Sequence, residues 1–338
     1  MSDPIDIKTK KIITSKETKF NKSLVLAALE QNLLSHWDTW GRFQQTWTSN
    51  AYRVFKDLEK YIILMLLVRN NWQSLSDKFS YMAMDEFYDL DKIIIDKINL
   101  IEISKELEIP KETIRRKVNE LQREEILSRE GKSISFNKKA LNFQKPEKTI
   151  DLLSTFIEKK AKIFSGESWF GDKLEREEIK LFIKKYFTIF WLRYFKLQIS
   201  FLIAHRNIFR DLETWMIWGN IGLHHQYHLQ KKLENSVLME EIRFSNYYKK
   251  VANLKVSRGI NASSISEISQ IPRATVIRKL KWLVKEKVIS KNKNLEYSMT
   301  YKGNLNKVIE QNFTKNQHLV ADFLCDVFDL MQNSKFKI

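Results

Sequence analysis

The side chains best placed to do chemistry in this chain are two arginines at matching points of a repeated pattern. Ile109-Pro110-Lys111-Glu112-Thr113-Ile114-Arg115-Arg116-Lys117-Val118 recurs 162 positions later as Ile271-Pro272-Arg273-Ala274-Thr275-Val276-Ile277-Arg278-Lys279-Leu280. Carried without gaps to Ser128 and Ser290, 8 of 20 positions are identical. On a helix, Ile114, Val118 and Leu121 share an inner face, and steps of about 100° turn Glu112, Arg116, Asn119 and Arg123 outward, flanked by Thr113 and Glu120. Lys111 and Arg115 add cations at the start of the same helix. The second copy offers Arg273, Thr275, Arg278, Lys281 and Lys285, with Ala274 beside them. An outward guanidinium can pair bidentately with guanine or grip a phosphate, so Arg116 and Arg278 are the central candidates. Arg129 and Lys132 in the first copy, and Lys291 and Lys293 in the second, suit phosphates alongside. All sixteen positions, with Glu112 and Asn119 as base readers, form the candidate interface.

The elements that must hold these groups are legible around them. Leu100–Leu107 reads as a short amphipathic helix burying Ile103 and Leu107, and Glu108-Ile109 as a tight turn. Pro110 suits a first helical turn, where its missing N–H costs nothing, and the helix runs to about Arg123. Ile126-Leu127 opens a strand, and Ser128–Phe136 alternates around Gly131 as a hairpin. Helix, turn, helix and hairpin together make a winged helix-turn-helix.

An upstream block repeats as well. Val54-Phe55-Lys56-Asp57-Leu58-Glu59 matches Ile208-Phe209-Arg210-Asp211-Leu212-Glu213, 154 positions on. The expected organisation is a basic tail (1–20), a first repeat (21–164, winged helix about 92–138), a joint at 165–178, and a second repeat (179–338, winged helix about 254–302). Long helices are expected at 24–34, 54–68, 150–164, 179–204, 208–223 and 319–331, from apolar residues recurring every three or four positions. The fold class is therefore mainly α: two duplicated winged helix-turn-helix domains with small β-hairpin wings and flanking long helices. With only 8 Gly and 4 Pro, the chain has little turn material for a many-stranded β protein.

Composition bounds the partners. A net charge of +17 and a pI near 9.6 ask for a polyanion, although a chain rich in Lys, Ile, Asn and Phe, as proteins from AT-rich genomes tend to be, reaches such a pI without one. The lone Cys325, set in an apolar run, excludes an internal disulfide and a cysteine zinc site. The basic N-terminus lacks the apolar core of a signal peptide. Tyr61–Val68 is too short to span a bilayer, and Phe187–Ile203 is interrupted by Arg193 and Lys196. His224 and His228 have a workable i, i+4 metal spacing, but no cysteine is near and the first copy has no matching histidines, so no metal or other cofactor is expected. Trp37, Trp40, Trp47, Trp191, Trp215 and Trp218 are expected to pack the two halves together, leaving room for a small-molecule effector in an aromatic pocket. No phosphate-cradling glycine loop or nucleophile motif is present, so an enzyme is not expected.

The repeated motif resembles the winged-helix bacterial regulators in which Ile-Pro-x-x-Thr-hydrophobic-x-Arg-Lys marks the recognition helix. The helices around it resemble the layout of MarR-type regulators, which dimerise through helices flanking the winged helix. The resemblance implies two subunits fused as a pseudo-dimer, present as a monomer or pairing further. It also implies a cytoplasmic, nucleoid-associated transcriptional regulator that binds specific double-stranded DNA, with no membrane partner. The alternatives are a plasmid-type replication initiator and a winged-helix protein-interaction module. Because Glu112 faces Ala274 and Asn119 faces Lys281 across the repeat, the expected DNA site is asymmetric, with half-sites about one helical turn apart.

Overall fold

The computed structural model describes residues 10–11, 20–77, 80–90, 92–95, 99–130, 133–137, 146–164, 174–233, 242–256 and 258–334. The fold is mainly helical with small antiparallel sheets. The first half carries β1 (Lys10–Lys11), α1 (Lys22–Gln31), α2 (Leu33–Phe55), α3 (Leu58–Asp77), β2 (Ser80–Tyr81) and α4 (Met84–Tyr88). It continues with β3 (Lys92–Ile95), α5 (Leu100–Leu107), α6 (Lys111–Arg123), β4 (Leu127–Glu130), β5 (Ser133–Asn137) and α7 (Glu147–Phe164). The second half carries α8 (Arg176–Lys185), α9 (Phe187–Phe209), α10 (Leu212–Leu233), α11 (Tyr247–Asn253) and β6 (Ile260–Asn261). Then come α12 (Ala262–Ser269), α13 (Arg273–Lys285), β7 (Ile289–Lys291), β8 (Glu296–Met299) and α14 (Leu305–Asn333). Most of the expected joint, 165–173, lies outside the described residues, and α8 begins within its last positions.

Two expected helices, 54–68 and 208–223, are each a junction between two helices instead. Lys56 closes α2 with a φ of 53°, and Arg210 closes α9 with a φ of 71°. The next residue in each case is an aspartate that caps the following helix. Asp57 Oδ1 accepts from the backbone N–H groups of Glu59 at 2.9 Å and Lys60 at 3.2 Å. Asp211 Oδ1 accepts from the backbone N–H and the hydroxyl of Thr214, both at 2.7 Å. Apolar periodicity continues across both breaks, with Phe55 and Leu58 buried on either side of the first, which is why spacing alone reads one helix. The expected 179–204 helix is likewise broken, at Tyr186 between α8 and α9.

Elements of the two halves correspond in length and position. Helices α1, α2 and α3 start at 22, 33 and 58; α8, α9 and α10 start 154 positions later at 176, 187 and 212. Helices α5 and α6, of 8 and 13 residues, are matched 162 positions on by α12 and α13 of 8 and 13 residues. Packing crosses between halves in the same reciprocal way: α2 lies on α10 as α9 lies on α3, and α1 lies on α14 as α8 lies on α7. Aromatic contacts fill these crossings, with Trp40 5.5 Å from Phe201, Trp47 5.9 Å from Tyr194 and Trp72 5.9 Å from Phe187 between ring centroids. Such ring pairs add burial and edge-on electrostatics together. Cys325 sits buried on α14, and burial pushes its thiol up to about 12. Helix α9 is long and apolar enough to cross a membrane by length and composition, yet 72% of its apolar window is buried inside the protein.

One cross-half contact breaks the correspondence. Arg206 on α9 donates through Nε to Glu59 Oε1 at 2.9 Å. The equivalent of Arg206 is Tyr52 on α2, whose phenol is raised by burial and by the nearby charge of Glu213, the equivalent of Glu59. Burial and then the neighbouring Asp211 charge push Glu213 up to about 6. A carboxyl raised above its unfolded value of about 4.3 favours the fold when protonated and opposes it once ionised. Glu213→Gln should therefore stabilise the protein by about 1–2 kcal/mol at pH 7.5, with the gain shrinking from about pH 6 downward and vanishing below about pH 3.5, where Glu213 is protonated in both states. Urea titrations at the two pH values measure it.

Candidate nucleic-acid interface

Each half presents one compact unit of strand, two helices and a hairpin. In the first unit, Asn99 Oδ1 caps α5 by accepting from the N–H of Ile101 at 3.0 Å, and Glu108, with a φ of 54°, ends it. The Ser104 hydroxyl donates to Ile109 O at 2.7 Å across the turn, and Pro110 (φ −53°) leads into α6. The second unit repeats this layout, with the capping bond one residue further along. Asn261 Oδ1 caps α12 from the N–H of Ser264 at 2.9 Å, Gln270 (φ 61°) ends it, Ser266 donates to Ile271 O at 2.7 Å, and Pro272 (φ −53°) leads into α13. The three-stranded sheets share one order, β3-β5-β4 and β6-β8-β7, so the hairpin pairs back onto the strand before the first helix. The Asn caps and the left-handed turn residues supply local reasons for these boundaries.

The inner faces of α6 and α13 bury Ile114, Val118 and Leu121, and Val276, Leu280 and Leu283. Outward, Lys111, Glu112, Arg115, Arg116, Asn119 and Arg123 are exposed and Thr113 is half-buried. Glu112, Arg116, Asn119 and Arg123 share one shallow open concavity with Thr113 and Arg115. Glu112 is paired there with Arg115 at 2.6 Å along the helix. On α13, Arg273, Arg278, Lys281 and Lys285 are exposed and Thr275 is half-buried, with Arg273 Nε donating to Ser263 Oγ at 3.1 Å. Arg129 is exposed on β4 and Lys291 on β7, where its ammonium lies 6.0 Å from the Tyr297 ring centre. Lys293 is exposed in the hairpin turn, and Lys132, with Gly131, lies outside the described residues.

Composition and outward-face reasoning pass over the residues that fix these helices in place. Lys117 and Lys279 point inward and are buried. Lys117 Nζ donates to Asp57 Oδ2, and Lys279 Nζ donates to Asp211 Oδ1 at 2.5 Å and to Thr214 Oγ1 at 3.1 Å. Each carboxylate thus caps a long helix and anchors an exposed-face helix at once. Burial raises the Asp211 carboxyl, but the hydrogen bonds and charge of Lys279 and Thr214 outweigh it and hold the group below the ordinary carboxylate range. The signal was present in the sequence: both lysines and both aspartates fall in the repeated blocks. Other ties differ between halves. Lys60 bridges Glu120 at 3.3 Å and Glu124 at 2.5 Å on α6, whereas the Arg210 guanidinium stacks 4.7 Å from the Trp282 ring on α13. The first unit is also held from the other half, where Asn207 Nδ2 donates to Glu108 Oε2 at 2.6 Å and Arg206 Nη1 to Glu108 O at 3.2 Å.

Behind the units lie two cavities at equivalent places in the halves. One, of about 400 Å³, is lined by Trp47, Tyr61, Trp72, Phe87, Trp191 and Phe195 among others, with Arg53 and Lys148 also on its wall. Its counterpart, lined by Phe201, Trp215, Gln44, Gln45, Tyr247 and Trp37 among others, encloses about 60 Å³. Gly219 admits the Gln45 side chain into that space, since a Cβ there would sit 2.0 Å from its Nε2. The rings of His224 and His228 lie 4.6 Å apart, but among the described residues no three His, Cys, Asp or Glu side chains group to hold a metal ion. Comparison with known proteins matches no family model, no curated protein and no solved structure.

Removing one member of a buried ion pair strands the other, so Lys279→Met should cost about 1–3 kcal/mol of stability. Asp211→Asn in the same background should return part of that loss, because the uncompensated charge is gone. Chemical denaturation of the single and double variants reads the coupling.

Proposed function

We propose that the two units are winged helix-turn-helix modules arising by duplication, and that the chain binds duplex DNA specifically as a transcriptional regulator. The observation that supports this best is the pairing, in both units, of an anchored inner face with an outer face bearing Arg116 or Arg278 at its centre. A recognition helix lying in the major groove needs both: cations or amides aimed at base edges, and a mounting stiff enough to keep them in register. The reciprocal packing of the halves supports a single-chain pseudo-dimer with MarR-like layout. The setting is then the cytoplasm, on the nucleoid. No catalytic step is part of this reading. The 400 Å³ aromatic cavity is of the size that takes a small apolar effector, and it sits between the long helices and the first unit.

The test is selection of bound fragments from a random duplex library at about 150 mM salt. A single enriched, non-palindromic motif is expected, since Glu112 and Asn119 stand where the second unit has Ala274 and Lys281. On that motif, Arg116→Ala and Arg278→Ala should each cost on the order of 1–3 kcal/mol and relax the preference at the base pair contacted. Affinity should fall by about 0.9 log unit per log unit of salt for each phosphate neutralised. Binding to a protein partner with little response to salt, and no enriched duplex, would instead favour a protein-interaction module. Enrichment of tandem repeated sites that open on binding would favour a replication initiator.

A further inference from the structure

The two units are alike in backbone and unlike in charge. Residues 99–137 hold eight Lys and Arg against eight Glu, a net charge of zero. The equivalent residues 261–299 hold eight Lys and Arg against three Glu, a net charge of +5. The difference lies on the acidic side. Seven of the eight acids are replaced at the matching positions, Glu112 by Ala274, Glu120 by Trp282 and Glu125 by Lys287 among them; Glu124 is kept as Glu286, and Glu267 and Glu296 are new. On the exposed face of the first unit one acid sits against a cation: Glu112 pairs with Arg115 at 2.6 Å, both side chains more than 60% exposed. Other acids of the unit pair outside it, Glu106 with Arg69 at 2.5 Å and Glu120 and Glu124 with Lys60, both cations of α3. In the second unit Arg278, Lys281, Lys285 and Lys293 are exposed and have no acidic partner among the described residues.

From this contrast, and resting on the DNA reading above, we propose that the two modules divide the work: the second unit grips the phosphate backbone, and the first is a charge-balanced reader that adds affinity only on its matching half-site. The physical reason is that sequence-independent affinity comes from cations that displace condensed counterions, and a surface whose acids cancel its cations displaces few. Base contacts made at short range are less affected by that cancellation, so a neutral head can still discriminate. Glu112 is the residue that sets the behaviour of the first head. It occupies Arg115, repels phosphate, and can accept a hydrogen bond from cytosine N4, which Ala274 in the second head cannot do. A chain so divided stays on arbitrary DNA by its second head alone, and the first head engages only where the sequence repays it.

The experiment compares full-length variants on a labelled 30-base-pair duplex of arbitrary sequence, titrated by fluorescence anisotropy between about 50 and 300 mM salt. The triple change Arg278→Ala, Lys281→Ala and Lys285→Ala should weaken binding at least about tenfold at 150 mM and lower the salt slope by about 2 to 3. The triple change Arg115→Ala, Arg116→Ala and Arg123→Ala should alter the slope by less than about 1. Glu112→Ala should strengthen binding to the arbitrary duplex by about twofold or more, a gain that misfolding does not produce. Equal loss of slope from the two triple variants, or no gain from Glu112→Ala, overturns the division of work while leaving DNA binding intact. Failure of the unaltered chain to bind any duplex at any salt overturns the DNA reading itself, and the division with it.

Discussion

Two ion pairs, each between a half-buried aspartate and a buried lysine (Asp57 with Lys117, Asp211 with Lys279), tie the exposed-face helix of each half to the long helices. Each aspartate sits where one long helix ends in the left-handed region and the next begins. Its first oxygen satisfies backbone N–H groups that a helix start leaves open. The carboxylate also draws in a lysine from the helix that faces outward. A capping interaction worth about 1 kcal/mol on its own thereby becomes a three-way joint between two bundle helices and one surface helix. Without the carboxylate, the lysine would be a buried cation with no counter-charge, and the exposed helix would lose its register against the bundle.

From that joint the rest of the architecture follows. The long helices reach across into the other half, where they bury tryptophan and phenylalanine rings against their counterparts. Because α9 lies on α3 while α2 lies on α10, neither half has a complete core by itself. The exposed-face helices α6 and α13 are therefore mounted on a bundle to which both halves contribute. Their relative placement is a property of that shared core, and a change in the packing around the 400 Å³ cavity would be felt at the first unit before the second.

What could be read from the sequence divides along physical lines. The ends of α5 and α6 were legible because Pro110 and the apolar positions Ile103, Leu107, Ile114 and Val118 mark them locally, and the described helices run from Leu100 to Leu107 and Lys111 to Arg123. The hairpins were legible from alternation, and β4 and β5 occupy the expected stretch. The breaks at Lys56, Tyr186 and Arg210 were not, since a helix period carries on through a one- or two-residue kink when both flanks face the same core. Most of α2 was also missed: Trp40, Phe43, Trp47 and Ala51 lie at helical spacing, but Gln44, Gln45 and Thr48, polar and buried, interrupt the apolar pattern between them. The inward lysines were missed for a related reason. Spacing places a residue on a face, but only the opposite wall of the core, here an aspartate sixty or so positions upstream, tells whether a charge there is satisfied.

The pairing of α1 with α14 has a consequence for how the chain is made. Helix α1 is made long before its main partner, which begins at Leu305, and until then it has α2 and α7 to lie against. At about 5–20 residues per second, the 274 residues from Gln31 to Leu305 take roughly 15 s to a minute. Over that interval Val25 and Leu29, both buried in the finished protein, lack the cover of α14. An intertwined single chain gains an assembly that dilution cannot take apart, and in exchange its nascent first half must be kept from sticking to other chains until α14 arrives.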